Sequence, residues 1–433
     1  MKLNGSMTVD EKVLHIGGVS CIELSENYST PLYVIDEKLV RQNCRDYVEH
    51  FKVKERNNKV AYAGKAFLPM YMCELIKEEG LYLDVVSGGE LYTAHKSGFD
   101  MERIIFHGNN KTLDEIQMGI DLGVGIFVVD NFYELNLIEK ICEEKSAVQN
   151  IYFRITPGIE AHTHEYIKTG QIDSKFGFTL VNGDLYKAIE SMSNYKNINL
   201  IGLHAHIGSQ IFDVEPFLDE VNIMMNLVKE IKDIYGIEIK EVDLGGGIGV
   251  YYTQGDEPKT IKEFCETIVK RADEICDKIN IKVPTLIIEP GRSIIANAGS
   301  TLYEVGSIKT IKDVRTYVSV NGGMTDNIRP SLYQAGYECA IVNKIGEEKL
   351  SQVTVAGKCC ESGDILISDT DIMDIKSGDI LITSSTGAYG YSMASNYNKI
   401  PKPAVVSVID GKSKIVCKRQ NYKDLLALEI MDK

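Results

Sequence analysis

The chain has 433 residues, more than one ordinary hydrophobic core accommodates, which points to two domains. Its 47 basic and 62 acidic side chains leave a net charge of −15, which argues against nucleic acid or an anionic membrane as the main partner. Nowhere do about 20 apolar residues follow one another. Residues 1–11 lack the basic start and apolar stretch of a secretory signal, and the ten cysteines show no zinc-like spacing, so a cytoplasmic protein with free thiols is expected.

Residues 1–35 come first. Strand character at 32–35 suggests that this segment joins a β domain further along the chain. Residues 36–295 then carry eight short apolar runs rich in β-branched residues, at 59–63, 81–86, 103–106, 125–129, 151–155, 199–207, 239–244 and 284–289. Most gaps between them have a helical period, as at 69–79, 89–96, 112–122, 132–145 and 217–235. Eight alternations of strand and helix predict an α/β fold, a (β/α)8 TIM-like barrel, rather than an open doubly wound sheet with fewer units. From 296 to 433 the segments are short, alternating and separated by turns (316–320, 353–355, 379–383, 404–409, 414–418), which predicts a C-terminal all-β domain.

On that map the chemically capable residues fall at the C-terminal ends of the barrel strands. Lys65 follows the first strand, Asp84 and Ser87 to Glu90 end the second, His107 ends the third, Asp130 the fourth and Arg154 the fifth. His204 and His206 lie on the sixth, Gly245-Gly246-Gly247 ends the seventh, and Glu289-Pro290-Gly291-Arg292 ends the eighth. Barrel active sites are built on this face, with phosphate sites often after strands seven and eight. A lone lysine is most often a solvated one. Here it is joined by backbone N–H groups for a phosphate and by a carboxylate and a guanidinium. Pyridoxal phosphate needs that set, with Lys65 as the amine for a Schiff base, Glu289 against the ring nitrogen and Arg292 on the phosphate or a substrate carboxylate. Burial of Lys65 near other cations would favour the unprotonated amine that attacks an aldehyde.

Val250 stands where a GxGxxG fingerprint would need its last glycine, so a dinucleotide site is not expected. His204 and His206 share one face of a strand. With no convincing carboxylate set around them, the favoured reading has His206, beside Gly208-Ser209-Gln210, lying against a flat ring; half of a metal site and a satisfied packing histidine are the others. His162 and His164 form a similar pair in a loop. In the β domain, the Cys360 thiol can protonate a carbanion and Glu361 can pair with an ammonium. Arg329 can clamp a second substrate carboxylate, and Tyr333 and Tyr389 add phenols.

Taken in order, Tyr62 to Ala66, Asp84 to Leu91, His107 to Asn110, Ser174 to Gly177, His206 to Gln210, Gly245 to Gly247, Glu289 to Ser293, Arg329 to Tyr333, Cys360 to Asp364 and Gly387 to Tyr389 resemble the diaminopimelate decarboxylase family over nearly the whole chain. Cys360-Glu361-Ser362-Gly363-Asp364 and Ser395-Asn396-Tyr397-Asn398 are the segments most specific to it. The resemblance implies the two-domain architecture of alanine racemase and ornithine decarboxylase, usually as a homodimer. It also implies that Lys65 carries the cofactor and His206 stacks on its ring. Ser209, Gly246, Gly247, Gly291 and Arg292 would surround the phosphate, and Glu289 would face the pyridine nitrogen. Arg292, Arg329, Tyr333, Glu361 and Tyr389 would bind substrate, Tyr389 touching the cofactor as well. Cys360 would be the proton donor, and Cys360 and Glu361 would reach into the partner subunit's site. The implied reaction is decarboxylation of meso-diaminopimelate to L-lysine and CO2, with no metal.

Two departures stand out. Asn321 and Thr325 replace the family's usual Asp and Asn around Gly322-Gly323-Met324, and 399–403 lacks the arginines common there; loop packing or the dimer surface could differ in consequence. Rival readings are a related decarboxylase of ornithine, arginine or carboxynorspermidine, which would differ in the residues at the distal end of the substrate, and an amino-acid racemase, which would place a cation rather than Glu289 at the ring nitrogen. A non-catalytic regulator and a metal-dependent barrel hydrolase complete the set.

Overall fold

The computed structural model describes residues 1–54, 56–158 and 173–431, so His162 and His164 lie outside the described residues. Eight strands, β1 (Lys59–Ala63), β2 (Tyr82–Val85), β3 (Ile104–Phe106), β4 (Ile126–Val129), β5 (Gln149–Thr156), β6 (Ile198–Ala205), β7 (Glu241–Asp243) and β8 (Thr285–Ile288), pair in parallel with their sequence neighbours. β8 returns to β1, which closes the barrel. The interior is packed by Ala61, Ile105, Ile126, Val128, Tyr152 and Ile287, with Tyr82 and Ile201 against them. Filling from many strands at once makes the barrel a core rather than a pore, and it forces the polar residues to the strand ends.

The helices between the strands begin and end where local chemistry directs. Thr112 and Glu115 form a reciprocal capping box that starts the helix Leu113–Leu122, and Gly123 ends it in the left-handed region at φ 73°. Thr260 and Glu263 do the same for Ile261–Lys278, whose buried Phe264, Cys265, Ile268, Ala272 and Cys276 recur at helical spacing. No helix among the described residues is long and apolar enough to cross a membrane.

The second sheet domain holds a strand that is longer than the sequence pattern suggests. Gly299–Ile311 pairs antiparallel with Leu32–Asp36 and with Ile380–Thr383 in its buried first half, then with Arg315–Val320 in its exposed second half. A bulge between Val305 and Ile308 marks the change of partner, and at Gly306-Ser307 the alternation breaks. Leu32–Asp36 also pairs in parallel with Ala404–Ile409. By contacts the chain divides into one unit of Met1–Gln42, Val250–Glu257 and Ile294–Lys433 and another of Asn43–Gly249 and Pro258–Ser293; the sequence pattern put the boundaries at 35/36 and 295/296.

A buried ion pair fixes the ends of β3 and β4. Lys111 is 3% exposed. Its Nζ donates to Glu134 Oε1 at 2.6 Å, to the Val128 carbonyl at 2.7 Å and to the Gly108 carbonyl at 3.1 Å. Glu134 Oε2 in turn accepts the Asp130 N–H at 2.9 Å. Replacing Lys111 by Met strands the Glu134 carboxylate, with an expected loss of about 3–5 kcal/mol in urea unfolding. A Lys111→Met/Glu134→Leu double variant should recover part of it. A single-variant loss below about 1 kcal/mol would make this no more than a surface pair.

Candidate active site

Lys65 sits in the single turn Gly64–Ala66 directly after β1. The buried Tyr62 hydroxyl, which donates to the Phe67 carbonyl at 2.8 Å, clamps that turn. Gly64 and Ala66 are buried while Lys65 is exposed. This differs from the burial expected of it, because the turn lies at the open end of the barrel. Its charge acts on Asp84, Glu90 and His206.

Beside it lies a buried cluster drawn from five strand ends. Glu289 Oε1 is 2.6 Å from His107 Nε2, and Glu289 Oε2 is 3.3 Å from His204 Nε2. The two imidazoles meet edge to face at 4.7 Å. Asp84 Oδ1 lies 3.8 Å from His107 Nε2. Facing donor atoms of His107, His204, Asp243 and Glu289 all fall within 4.8 Å of one another. The carboxylate set that the sequence did not show around His204 therefore exists, supplied by β7 and by the turn after β8. Two imidazole nitrogens each face an oxygen of one carboxylate, and the His204 contact has hydrogen-bond geometry.

Burial works against charge throughout this cluster. It pushes His204 down to about 3, leaving a neutral imidazole that donates to Glu289 at neutral pH, and it raises Asp84 to about 6, partly offset by His107. For Glu289 the outcome is reversed. Burial opposes ionisation, but the imidazoles of His107 and His204 beside it outweigh that and hold the carboxyl well below the usual carboxylate range.

The phosphate-sized end is made of backbone. Gly246 donates its N–H to His206 Nδ1 at 3.3 Å, and the Glu289 N–H donates to the Gly245 carbonyl at 2.7 Å. A Cβ on Gly246 would lie 2.2 Å from the Glu289 carbonyl, and one on Gly247, at φ +125°, 2.3 Å from the Gly208 carbonyl. Only glycines pass here. Across from them Arg292 Nη2 donates to Ser209 Oγ at 2.8 Å, and Gly291 lets the turn after β8 approach Ala63 at the end of β1. His206 is half-buried, and burial together with the charges of Lys65 and Arg154 holds it well below the usual imidazole value. Arg154 is itself stacked on Phe176 at 4.1 Å. Lys65, His206, Ser209, Gly246, Gly247, Glu289, Gly291 and Arg292 thus converge at one end of the barrel. A lysine, a side-chain-free turn and a buried anion fit what pyridoxal phosphate asks for.

The sheet domain holds the remaining candidates. Arg329 is buried, and its Nη1 donates to the phenols of Tyr252 (2.9 Å) and Tyr337 (2.8 Å). Neither tyrosine was singled out in the sequence, since Tyr252 is 77 residues from Arg329 and Tyr337, though only 8 away, sits in a loop with no periodic pattern. Tyr333 shares the short helix Arg329–Tyr333, and Ser331 Oγ in that helix donates to the Gly363 carbonyl at 2.7 Å, tying it to the Cys360–Asp364 loop. Cys360 and Glu361 are exposed. Their loop is anchored by buried Asp364, which accepts the N–H groups of Met324 (2.6 Å) and Cys359 (2.8 Å). Tyr389 adopts the left-handed region at φ 59°. Asn321 bonds Thr30 at 2.7 Å and the Glu304 N–H at 3.1 Å, while Thr325 is buried.

Residues 37–296 match the family model of the pyridoxal-dependent decarboxylases, pyridoxal binding domain. The chain is 50% identical to diaminopimelate decarboxylase of Bacillus subtilis, over 96% of this chain and 95% of that one. It superposes with a TM-score of 0.94 on diaminopimelate decarboxylase of M. jannaschii, a crystal structure in complex with L-lysine, at 37% identity with 100% and 99% of the two chains covered. The lysine/ornithine decarboxylase of Vibrio vulnificus, at 21% identity, a TM-score of 0.76 and coverage of 90% and 97%, shares the fold. The chain belongs to the diaminopimelate decarboxylase family of pyridoxal-dependent decarboxylases.

Proposed function

We propose that this chain removes CO2 from meso-diaminopimelate to give L-lysine, with pyridoxal phosphate as cofactor. The observation that carries the reading is the buried, ionised Glu289 held by two imidazoles beside Lys65 and a side-chain-free glycine turn. When bound, the cofactor draws off the electron pair left as the bond to the departing carboxylate breaks. Lys65 holds it covalently. The N–H groups of Gly246 and Gly247, with Ser209, Gly291 and Arg292, hold the phosphate. Glu289 keeps the ring nitrogen protonated, and His206, neutral because of its burial and the cations near it, lies flat against the ring.

On the substrate side, Arg329 takes the distal carboxylate. Its fork is oriented by the two phenols that already occupy Nη1, which is the advantage of guanidinium over ammonium at such a site. Glu361 pairs with the distal ammonium, and Arg292, Tyr333 and Tyr389 complete the pocket. The Cys360 thiol delivers a proton to the carbon that has lost CO2. We further propose that the enzyme works as a homodimer in which Cys360 and Glu361 of the partner subunit complete each site; the exposure of both residues on an anchored loop supports this. A cytoplasmic location fits ten cysteines that are all free thiols.

Purified protein with pyridoxal phosphate should release CO2 from meso-diaminopimelate and not from ornithine, arginine or carboxynorspermidine. A site built to pair both distal charges leaves buried polar groups unmatched by substrates lacking one. Release from one of the others instead would overturn the roles given to Arg329 and Glu361. The shared site has its own test. Lys65→Ala and Cys360→Ala proteins, each inactive alone, should regain roughly a quarter of wild-type activity on mixing and refolding as dimers, because half of the dimers then carry one intact site. No recovery, with mixed dimers verified by mass, would confine each site to one chain.

A further inference from the structure

Asp243 is the last residue of β7 and is fully enclosed, with 0% of its surface exposed. Its Oδ1 accepts the Gly245 N–H at 2.9 Å. Its Oδ2 is buried with no hydrogen-bond donor on it among the described residues. The buried carboxyl it faces is that of Glu289, an oxygen of which lies within 4.8 Å of its own. Two buried carboxylates in contact repel if both are ionised and bond if one holds a proton. Nothing in the decarboxylation sequence uses Asp243 directly, yet it touches both the glycine turn and the ring-nitrogen partner.

We propose that Asp243 is a positioning residue: its carboxyl group bridges the Gly245 N–H and the Glu289 carboxylate, and so locks the phosphate turn and the anion that meets the ring nitrogen into one geometry. This rests on the pyridoxal phosphate reading above. Charge bookkeeping decides where the proton resides. Asp84 on β2, His107 after β3, Tyr152 and Arg154 on β5, His204 on β6 and Glu289 after β8 face Asp243 or its immediate partners. His204 hydrogen-bonds Glu289 and the His107 imidazole lies 2.6 Å from it; Glu289 stays ionised, while burial and then the Glu289 charge push Asp243 well above the usual carboxylate range. Asp243 is therefore the proton-bearing member, and Glu289 lies among two imidazoles and one carboxylic acid.

An amide imitates that acid. In the Asp243→Asn variant the side-chain oxygen would accept from Gly245 and the side-chain nitrogen would donate to Glu289. Asp243→Ala should weaken pyridoxal phosphate binding and lower kcat by about 10–100-fold, the range for partners that orient a functional group from behind. Asp243→Asn should restore most of that loss and return the absorbance spectrum of the bound cofactor to that of wild type. A second measurement needs no cofactor. The unfolded Asp loses its proton above about pH 4 while the folded one keeps it. The stability that Asp243 contributes is thus fully present below that pH and is lost as pH rises toward its folded value. Compared with Asp243→Asn, the wild-type apoprotein should therefore lose ground by up to roughly tenfold in its unfolding constant per pH unit from about pH 5 upward, until the folded Asp243 titrates. Parallel unfolding of the two across that range would overturn the proposal, as would an Asn variant that behaves like Ala in cofactor binding. Neither result depends on which substrate the wild-type enzyme decarboxylates, so failure of the substrate assignment is distinguishable from failure here.

Discussion

The structure depends on keeping one negative charge inside a protein. An ionised carboxylate taken out of water costs several kcal/mol unless hydrogen bonds replace the solvent. Glu289 meets that requirement with His107 from the end of β3 and His204 from β6. No stretch of sequence brings these residues together. Closure of the barrel does, because parallel pairing in fixed register carries the ends of all eight strands to the same face. The interior packing of Ile105, Val128, Tyr152 and Ile287 thus serves chemistry indirectly: it sets the register that lets two imidazoles point at one carboxylate.

The two groups of candidate residues differ in mechanical character. The barrel set is built on strand ends and a turn in which only glycine fits, so the anion and the phosphate cradle are pre-organised before any ligand arrives. The sheet-domain set combines an enclosed member and exposed ones. Arg329 is enclosed and held by two phenols, whereas Cys360 and Glu361 are exposed on a loop held by Asp364, by Ser331 on the Gly363 carbonyl and by Asn398 on the Cys360 N–H. Tyr389 is held in a left-handed backbone conformation that costs on the order of 1–3 kcal/mol and concentrates at working sites.

Much of the barrel was legible because its signal is periodic. The helix Phe132–Lys145 and the strand Lys59–Ala63 have the bounds that apolar spacing suggests. Thr112 and Gly123 mark their helix ends by chemistry that acts within a few residues. Gly299–Ile311 was hidden because its second half faces solvent and a bulge interrupts the alternation at Gly306-Ser307. Motif residues such as Lys65, Gly246 and Arg292 stood out because their types are unusual at strand ends. Asp243 did not, since a lone acid closing an apolar run looks like the end of a strand; its meaning comes from Glu289 on the neighbouring strand. For the same reason the carboxylates around His204 and the phenols around Arg329 were invisible: adjacency in a closed sheet or a folded loop leaves no mark in sequence spacing. The exposure of Lys65 likewise follows from which end of the barrel is open, which periodicity does not encode.

The most direct measurement is the protonation state of the cofactor's ring nitrogen, read by NMR from pyridoxal phosphate labelled at that nitrogen and bound to the full-length protein. A ring nitrogen that is protonated in the wild-type holoenzyme at neutral pH and loses that proton in Glu289→Gln is the result that follows from a buried, ionised Glu289. An unprotonated nitrogen in the wild type, or one unchanged by the substitution, would contradict the view that the barrel is organised to keep this charge.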